Sequence, residues 1–290
     1  MIEYKQSRSK FWLKVFDNED NTTISTNSML MDLVECVSPE LVDSSPTGWK
    51  KSKNYDDVYN LWIPNSRMDW DSLEALKAWA QQANRHIWLG TNRNTEGYFT
   101  GNEVAICIAA DWNIDIQTKR RTEVGNAEYQ LKYQYQKGLI SKDDAIQYAN
   151  TLATAILDCV KCLPFNLDNY VVTTIPAVKE KQNKLAWKLA RFVAEKLEVS
   201  FVSLTLHKDK PQMKEQSVED KIKIWRTILA DETGLIFSES VKCKDVLIID
   251  DLYQSGASIW CLAEYLKEKC AAKTIVAITS VKALKNGDNR

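Results

Sequence analysis

The run Val246-Leu-Ile-Ile-Asp-Asp-Leu-Tyr-Gln-Ser-Gly-Ala-Ser258 decides the reading of this 290-residue chain. Residues 246–249 are apolar and uncharged, which suits a strand covered on both faces of a sheet. Two adjacent carboxylates, Asp250 and Asp251, follow where that strand is expected to end. In open α/β sheets the carboxyl ends of strands line the ligand crevice. Ser255-Gly-Ala-Ser258 then opens a helix expected over 257–269. The free N–H groups there, with the Ser255 and Ser258 hydroxyls, make an anion cradle, and Gly256 lets the backbone approach a ligand closely. One segment thus offers acceptors for sugar hydroxyls and donors for a phosphate, which together suit a ribose 5-phosphate.

Working outward, the second half alternates between strand and helix patterns. Strands are expected at 170–175, 201–206, 246–249 and 274–281, and helices at 141–159, 181–197, 219–228 and 257–269. Ser141-Lys-Asp-Asp144 has the form of a capping box. Such alternation implies right-handed crossovers and a parallel sheet with helices on both faces. The first half reads as mixed α/β. A strand is expected at 58–63, a helix from Asp71 to about Asn84 capped by Asp69 or Asp71, and strands at 86–89 and 104–109. The residues before Tyr55 give no clear pattern. Seven of the ten tryptophans lie in the first 112 residues. Residues 1–125 carry 14 Lys+Arg against 18 Asp+Glu, and residues 126–290 carry 24 against 21. The expected division is therefore a Trp-rich region or hood over 1–125, beside the carboxyl edge of a sheet domain over 126–290.

The closing segment resembles the signature of the type I phosphoribosyltransferases, which bind phosphoribosyl pyrophosphate (PRPP). The resemblance implies that Asp250 and Asp251 hold the ribose 2′- and 3′-hydroxyls and act as the catalytic pair. It implies that Gln254, Ser255, Gly256, Ala257 and Ser258 hold the 5-phosphate, with Gln254 standing where the family usually has Thr or Ser. Thr173-Thr-Ile-Pro-Ala-Val-Lys-Glu-Lys181 resembles the family's pyrophosphate loop, with Ala177, Val178, Lys179 and Lys181 as its members. Residues 207–221 take the place of its mobile loop, where Lys223 and Arg226 are further candidates. Leu131-Lys-Tyr133, Pro176, Lys210-Pro-Gln212 and the closing motif resemble the competence protein F (ComF-type) branch. The resemblance covers about 127–285. The branch's zinc-binding cysteine pairs and its Gly-Phe-Asn-Gln element are missing, with Gln182-Asn183 the nearest trace of the latter. Mg²⁺ is implied as an ion that enters on PRPP, with no metal held by the protein itself.

Composition bounds the alternatives. Apolar residues at 44% and charged residues at 27% are those of a globular chain. A net charge of −1 gives no global basic field, and Lys119-Arg-Arg121 is too short a cluster to claim direct nucleic-acid binding. No membrane span and no signal peptide are read, so a cytoplasmic protein is expected. Seven scattered cysteines and the lone pair Cys159-Val-Lys-Cys162 argue for reduced thiols without zinc. Two histidines and the lack of a P-loop leave little room for a hydrolase triad or a nucleotide triphosphatase.

Two functions stand open on the sequence. One is a transferase moving phosphoribose from PRPP to a nitrogenous base through an oxocarbenium-like state. The other is a PRPP- or nucleotide-sensing module acting on a protein partner through the Trp-rich region, in DNA uptake, nucleotide metabolism or genome defence; a homodimer is a further expectation. The carboxylates, facing a crevice, are expected to be replaceable by Asn with little effect on fold stability. Valine at Gly256 is expected to obstruct the phosphate.

Overall fold

The computed structural model describes residues 1–92, 95–181, 184–208, 210–211, 213, 216–231 and 234–284. Gln182, Asn183, Gln212 and parts of the 207–221 segment lie outside them. The chain forms two compact units. The first holds Met1–Trp88 with Lys161–Phe165, and the second holds Leu89–Val160 with Asn166–Arg290. The boundary expected near residue 125 therefore falls inside the second unit.

The first unit is a five-stranded antiparallel sheet with three helices. Its strands are β1 (Ile2–Lys5), β2 (Trp12–Asp17), β3 (Asn21–Thr26), β4 (Trp49–Lys51) and β5 (Tyr59–Pro64), in the order β1-β2-β3-β5-β4. Its helices are α1 (Ser28–Val37), α2 (Pro39–Ser44) and α3 (Trp70–Ala83). Alternation is visible strand by strand: Leu13, Val15, Ile24, Leu61 and Ile63 are buried, with Leu30, Val34, Leu41, Leu73 and Leu76 of the helices. Asp69 caps α3, its side chain accepting from Ser72 N at 2.9 Å. Phe11, Trp79 and Trp88 form a tilted aromatic cluster with centroids 5.3–6.4 Å apart. Trp density in this region is thus partly core.

The second unit is mixed α/β. Its elements are β6 (Ile87–Leu89, where the chain passes from one unit to the other), β7 (Ile106–Trp112), α4 (Glu123–Tyr129), α5 (Lys142–Lys161), β8 (Tyr170–Thr174), β9 (Ala177–Val178), α6 (Leu185–Lys196), β10 (Leu204–Leu206), α7 (Val218–Ala230), β11 (Leu235–Phe237), β12 (Asp245–Tyr253), α8 (Ala257–Glu268) and β13 (Ile275–Lys282). The main sheet has the order β6-β7-β13-β12-β8, and the β7–β13, β13–β12 and β12–β8 pairs are parallel. Strand β7, read from the sequence as part of the Trp-rich region, is a member of this sheet. Helix α4 packs on β7 and β13, and α6 packs on β8 and β12. A second sheet, β11-β10-β9, contains an antiparallel pair, so the unit is not purely parallel. The capping box forms: Ser141 Oγ accepts from Asp144 N at 3.0 Å and donates to its carboxylate at 2.7 Å. No helix of the described residues is long and apolar enough to cross a membrane.

Candidate functional site

Register places the two carboxylates. Strand β8 pairs with β12 only as far as Thr174, which faces Ile249. On its other side β12 stays paired with β13 out to Tyr253 and Lys282. Asp250 and Asp251 are therefore not past the end of the strand, as the sequence suggests. They lie on a strand held on one edge and released on the other, where a cavity opens.

That cavity measures about 750 Å³. Of the expected site residues, Asp250, Asp251, Gln254, Ser255, Gly256, Ala257, Ser258, Ala177 and Lys181 line it. Val178 and Lys179 do not. Residues of a strand alternate between faces. Ala177 reaches the cavity, whereas Val178, paired with Leu206, is buried in the small sheet. Lys179 follows as an exposed residue of a 3₁₀ turn. Lys223 and Arg226 are also absent from the lining. Lys223 pairs with Glu219 at 2.6 Å on the surface of α7, and Arg226 makes a two-pronged contact with Glu264 at 2.6 and 2.8 Å. Arg121 of the short basic cluster stacks on Tyr129 at 3.8 Å.

The cavity also brings in lysines that the sequence reading did not assign to ligand binding, although Lys132 and Lys210 lie in its quoted motifs and Lys210 and Lys221 in the 207–221 stretch. Lysines 132, 184, 210 and 221 join Lys181 at its wall. Lys132 stands on a π-helical turn, Gln130–Gln134, that continues α4. Its Nζ lies 3.0 Å from Asp251 Oδ2 and 3.2 Å from Glu128 Oε1. Burial works against the Lys132 charge, but Asp251 and Glu128 more than offset it and raise its pKa. Burial pushes Glu128 up from the usual carboxylate range, opposed by the Lys132 ammonium. Asp250 is pushed up to about 7, first by loss of solvation and then by the Asp251 carboxylate beside it, with Lys132 acting in the opposite sense. Lys210 Nζ sits 4.6 Å from the centre of the Trp225 ring, another wall residue.

Two buried polar atoms at this wall, Thr174 Oγ1 and Trp187 Nε1, have no hydrogen-bond partner among the described residues. Buried donors and acceptors ordinarily find partners, so both are suited to meeting a ligand. At the start of α8, Gly256 adopts φ +84°, and Ser255 Oγ accepts weakly from Ala257 N at 3.4 Å. The first-turn N–H groups of this helix point away from any intrahelical acceptor. No group of three or more His, Cys, Asp or Glu among the described residues is placed to hold a metal ion.

The Lys132 contacts give a stability prediction. Lys132→Met leaves Glu128 and Asp251 facing each other without their shared cation. Removing one member of a buried pair is costly, and the roughly one-quarter exposure of the lysine moderates the effect to about 1–2 kcal/mol. Thermal melts should show a larger loss at pH 8 than at pH 5, because burial already raises the Glu128 pKa and its protonation relieves the repulsion. A pH-independent loss would mean that only packing is removed.

No family model and no curated protein matches this chain. Among solved structures, two crystal forms of a hypoxanthine phosphoribosyltransferase from Staphylococcus aureus are similar to it. The tetragonal form has 15% sequence identity and a TM-score of 0.30, over 45% of this chain and 60% of the other. The orthorhombic form has 13% identity and a TM-score of 0.26, over 55% and 63%. The chain thus spans less than two thirds of the proteins it resembles. Neither structure is a ComF-type protein, and the narrower branch resemblance rests on the sequence motifs alone.

Proposed function

We propose that the second unit binds a phosphoribosyl compound, PRPP or a nucleotide, in the cavity beside β12. Asp250 and Asp251 accept hydrogen bonds from the ribose hydroxyls. Gln254, Ser255, Gly256, Ala257 and Ser258, at the helix start, take the 5-phosphate. Lys181 and the neighbouring lysines receive a pyrophosphate or further phosphates. The observation that carries this reading is the convergence of two carboxylates, a helix N-terminal loop and five lysines on one cavity of about 750 Å³. An acid pair alone, or a lysine patch alone, would point to no single ligand. Together they match a molecule that is a sugar diol at one end and phosphate at the others.

Asp251 of the acid pair is already engaged by Lys132, which fits an ion carried by the ligand rather than one held by the protein. Mg²⁺ would enter bound to the pyrophosphate oxygens, and it would neutralise their charge. The chain's own residues then orient the ribose, fix the phosphate and screen the leaving group. Positioning and charge stabilisation of this kind supply most of the rate in such transfers. Asp251, tied to Lys132, is fixed in orientation. Asp250 is the carboxylate whose charge is most sensitive to what fills the cavity. Of the two activities, transfer to a base and sensing of PRPP, the extensive lysine lining favours a ligand with more than one phosphate and is compatible with both. Within the type I phosphoribosyltransferases, the ComF-type branch is the nearest in motif.

Thermal shift with PRPP, with and without Mg²⁺, tests the binding, with ribose 5-phosphate as the weaker comparison. Ligand at about 100 times its dissociation constant should add about 2.7 kcal/mol to unfolding. Asp251→Asn should weaken the response at least tenfold in affinity, since charged acceptors make the stronger bonds. Pyrophosphate release with purine and pyrimidine bases then separates transferase from sensor. If no phosphoribosyl compound shifts the melt, the reading is wrong.

A further inference from the structure

The first unit carries a surface that the cavity chemistry does not use. The residues that alternate with its core strand positions form the opposite face of the sheet. They include Trp12, Lys14 and Phe16 on β2 and Trp62 on β5, the last 42% exposed. Register orders this face. Lys5 stands opposite Trp12, and Phe16 is aligned through Thr23 with Trp62. Lys14 is aligned through Ser25 and Asn60 with Lys50. Three aromatic rings and three lysines therefore share one face with a single carboxylate, Glu3 opposite Lys14, and short polar side chains lie between them. Phe16 and Trp62 lie two strands apart, about 10 Å. Trp12 is held by its Nε1, which donates to Glu3 Oε1 at 2.7 Å, and Lys14 Nζ lies 4.4 Å from the centre of the Phe16 ring.

Charge divides this unit by layer. Helices α1, α2 and α3 carry six acidic residues (Asp32, Glu35, Glu40, Asp43, Asp71 and Glu74) against Lys77 alone. The five strands carry Lys5, Lys14, Lys50 and Lys51 against Glu3 and Asp17. A polyanion is repelled by the helical layer and attracted to the sheet. The chain's net charge of −1 averages this polarity away, which is why the sequence argued against direct nucleic-acid binding.

We propose that this sheet face binds single-stranded nucleic acid. Its bases stack on Trp12, Phe16 and Trp62, and its phosphates run past Lys5, Lys14 and Lys50. Aromatic platforms within a positive surface bind single strands with little sequence preference, because every base has a stacking face. Double helices hide those faces and would use only the lysines. Oligosaccharides would use only the rings. The combination selects the single strand.

The test uses the full chain and fluorescein-labelled mixed-sequence single strands of DNA and RNA, followed by anisotropy. A duplex of the same sequence and a neutral oligosaccharide serve as competitors. Single strands should bind, and the duplex should bind at least tenfold more weakly. Phe16→Ala and Trp62→Ala should each weaken binding about tenfold, within the range of one stacked base. Lys14→Glu with Lys50→Glu should weaken it further and flatten the salt dependence. Glu35→Gln on the helical layer should leave it unchanged. These side chains are at least partly exposed, and circular dichroism melts confirm that each variant folds. Absence of binding, equal binding of duplex with unchanged ring variants, or displacement by the oligosaccharide overturns the proposal.

Discussion

Gly256→Val is expected to destabilise the protein by about 3–5 kcal/mol even without any ligand. Gly256 holds φ +84°, a left-handed conformation that costs a residue with a Cβ roughly 1–2 kcal/mol. Space is the larger problem. A Cβ there would lie 2.2 Å from Tyr253 Oη, 2.6 Å from Tyr253 Cζ and 2.9 Å from Trp260 Cδ1. Neither ring can step aside easily, since both are 2% exposed and Trp260 Nε1 donates to Tyr253 Oη at 3.2 Å. Forced overpacking of a core typically costs about 1–3 kcal/mol, and the branched valine side chain adds to it. At about 2–4 °C per kcal/mol for a domain of this size, calorimetry should find a melting temperature lower by roughly 6–20 °C. Gly256→Ala should show most of the same loss, because the clash begins at Cβ. A valine variant that melts like the wild type and fails only to bind phosphate would restore the simpler expectation drawn from the sequence, in which the glycine merely clears a path for the ligand.

The contrast shows what local sequence can and cannot encode. The 13-residue closing segment is contiguous, so its strand, acid pair and helix start were all legible from residue type. So were the Asp69 cap and the Ser141 capping box, which depend on neighbours three residues apart. What Gly256 touches depends on Tyr253 and Trp260 folding under the same turn, which composition does not reveal. The rest of the cavity wall is harder still. Lys132, Trp187, Lys221 and Trp225 come from three separate elements. On their own helices, Trp187 and Trp225 look like ordinary apolar positions of an amphipathic pattern. Lys132 sits in the quoted Leu131-Lys-Tyr133, yet its partner Asp251 is more than a hundred residues away. Ala177 and Val178 could not be told apart without knowing that β9 pairs with β10. The residues before Tyr55 failed for another reason. Their four strands are three to six residues long and antiparallel, and their partners lie up to some 40 residues off in the chain, so no single window carries the pattern.

Asp250→Asn is expected to stabilise the unliganded protein at neutral and alkaline pH while weakening its hold on a phosphoribosyl ligand. The sequence alone suggested little effect on stability, on the view that a crevice carboxylate is well solvated. Asp250 does open on the cavity, but protein encloses enough of it for lost solvation to be the leading influence, followed by the Asp251 carboxylate. Its pKa is pushed up to about 7, from an unfolded value near 4. The folded chain therefore binds a proton here that the unfolded chain has released, and stability falls as pH rises from about 4 through about 7. Asparagine removes that fall. The difference between variant and wild type should be nil below about pH 4, grow through the interval, and level off above about pH 7 at the order of a few kcal/mol. Chemical denaturation of both proteins at pH 4, 6 and 8 measures it. Ligand binding should move in the opposite direction. A ribose hydroxyl donating to the ionised carboxylate favours the charged form, so the wild type should release a proton on binding near neutral pH and Asp250→Asn should not. Such a trade between stability and function is common where a charge is held for a ligand. An asparagine variant no more stable than the wild type at pH 8, and equal to it in ligand affinity, would place Asp250 in ordinary solvent and remove it from the site.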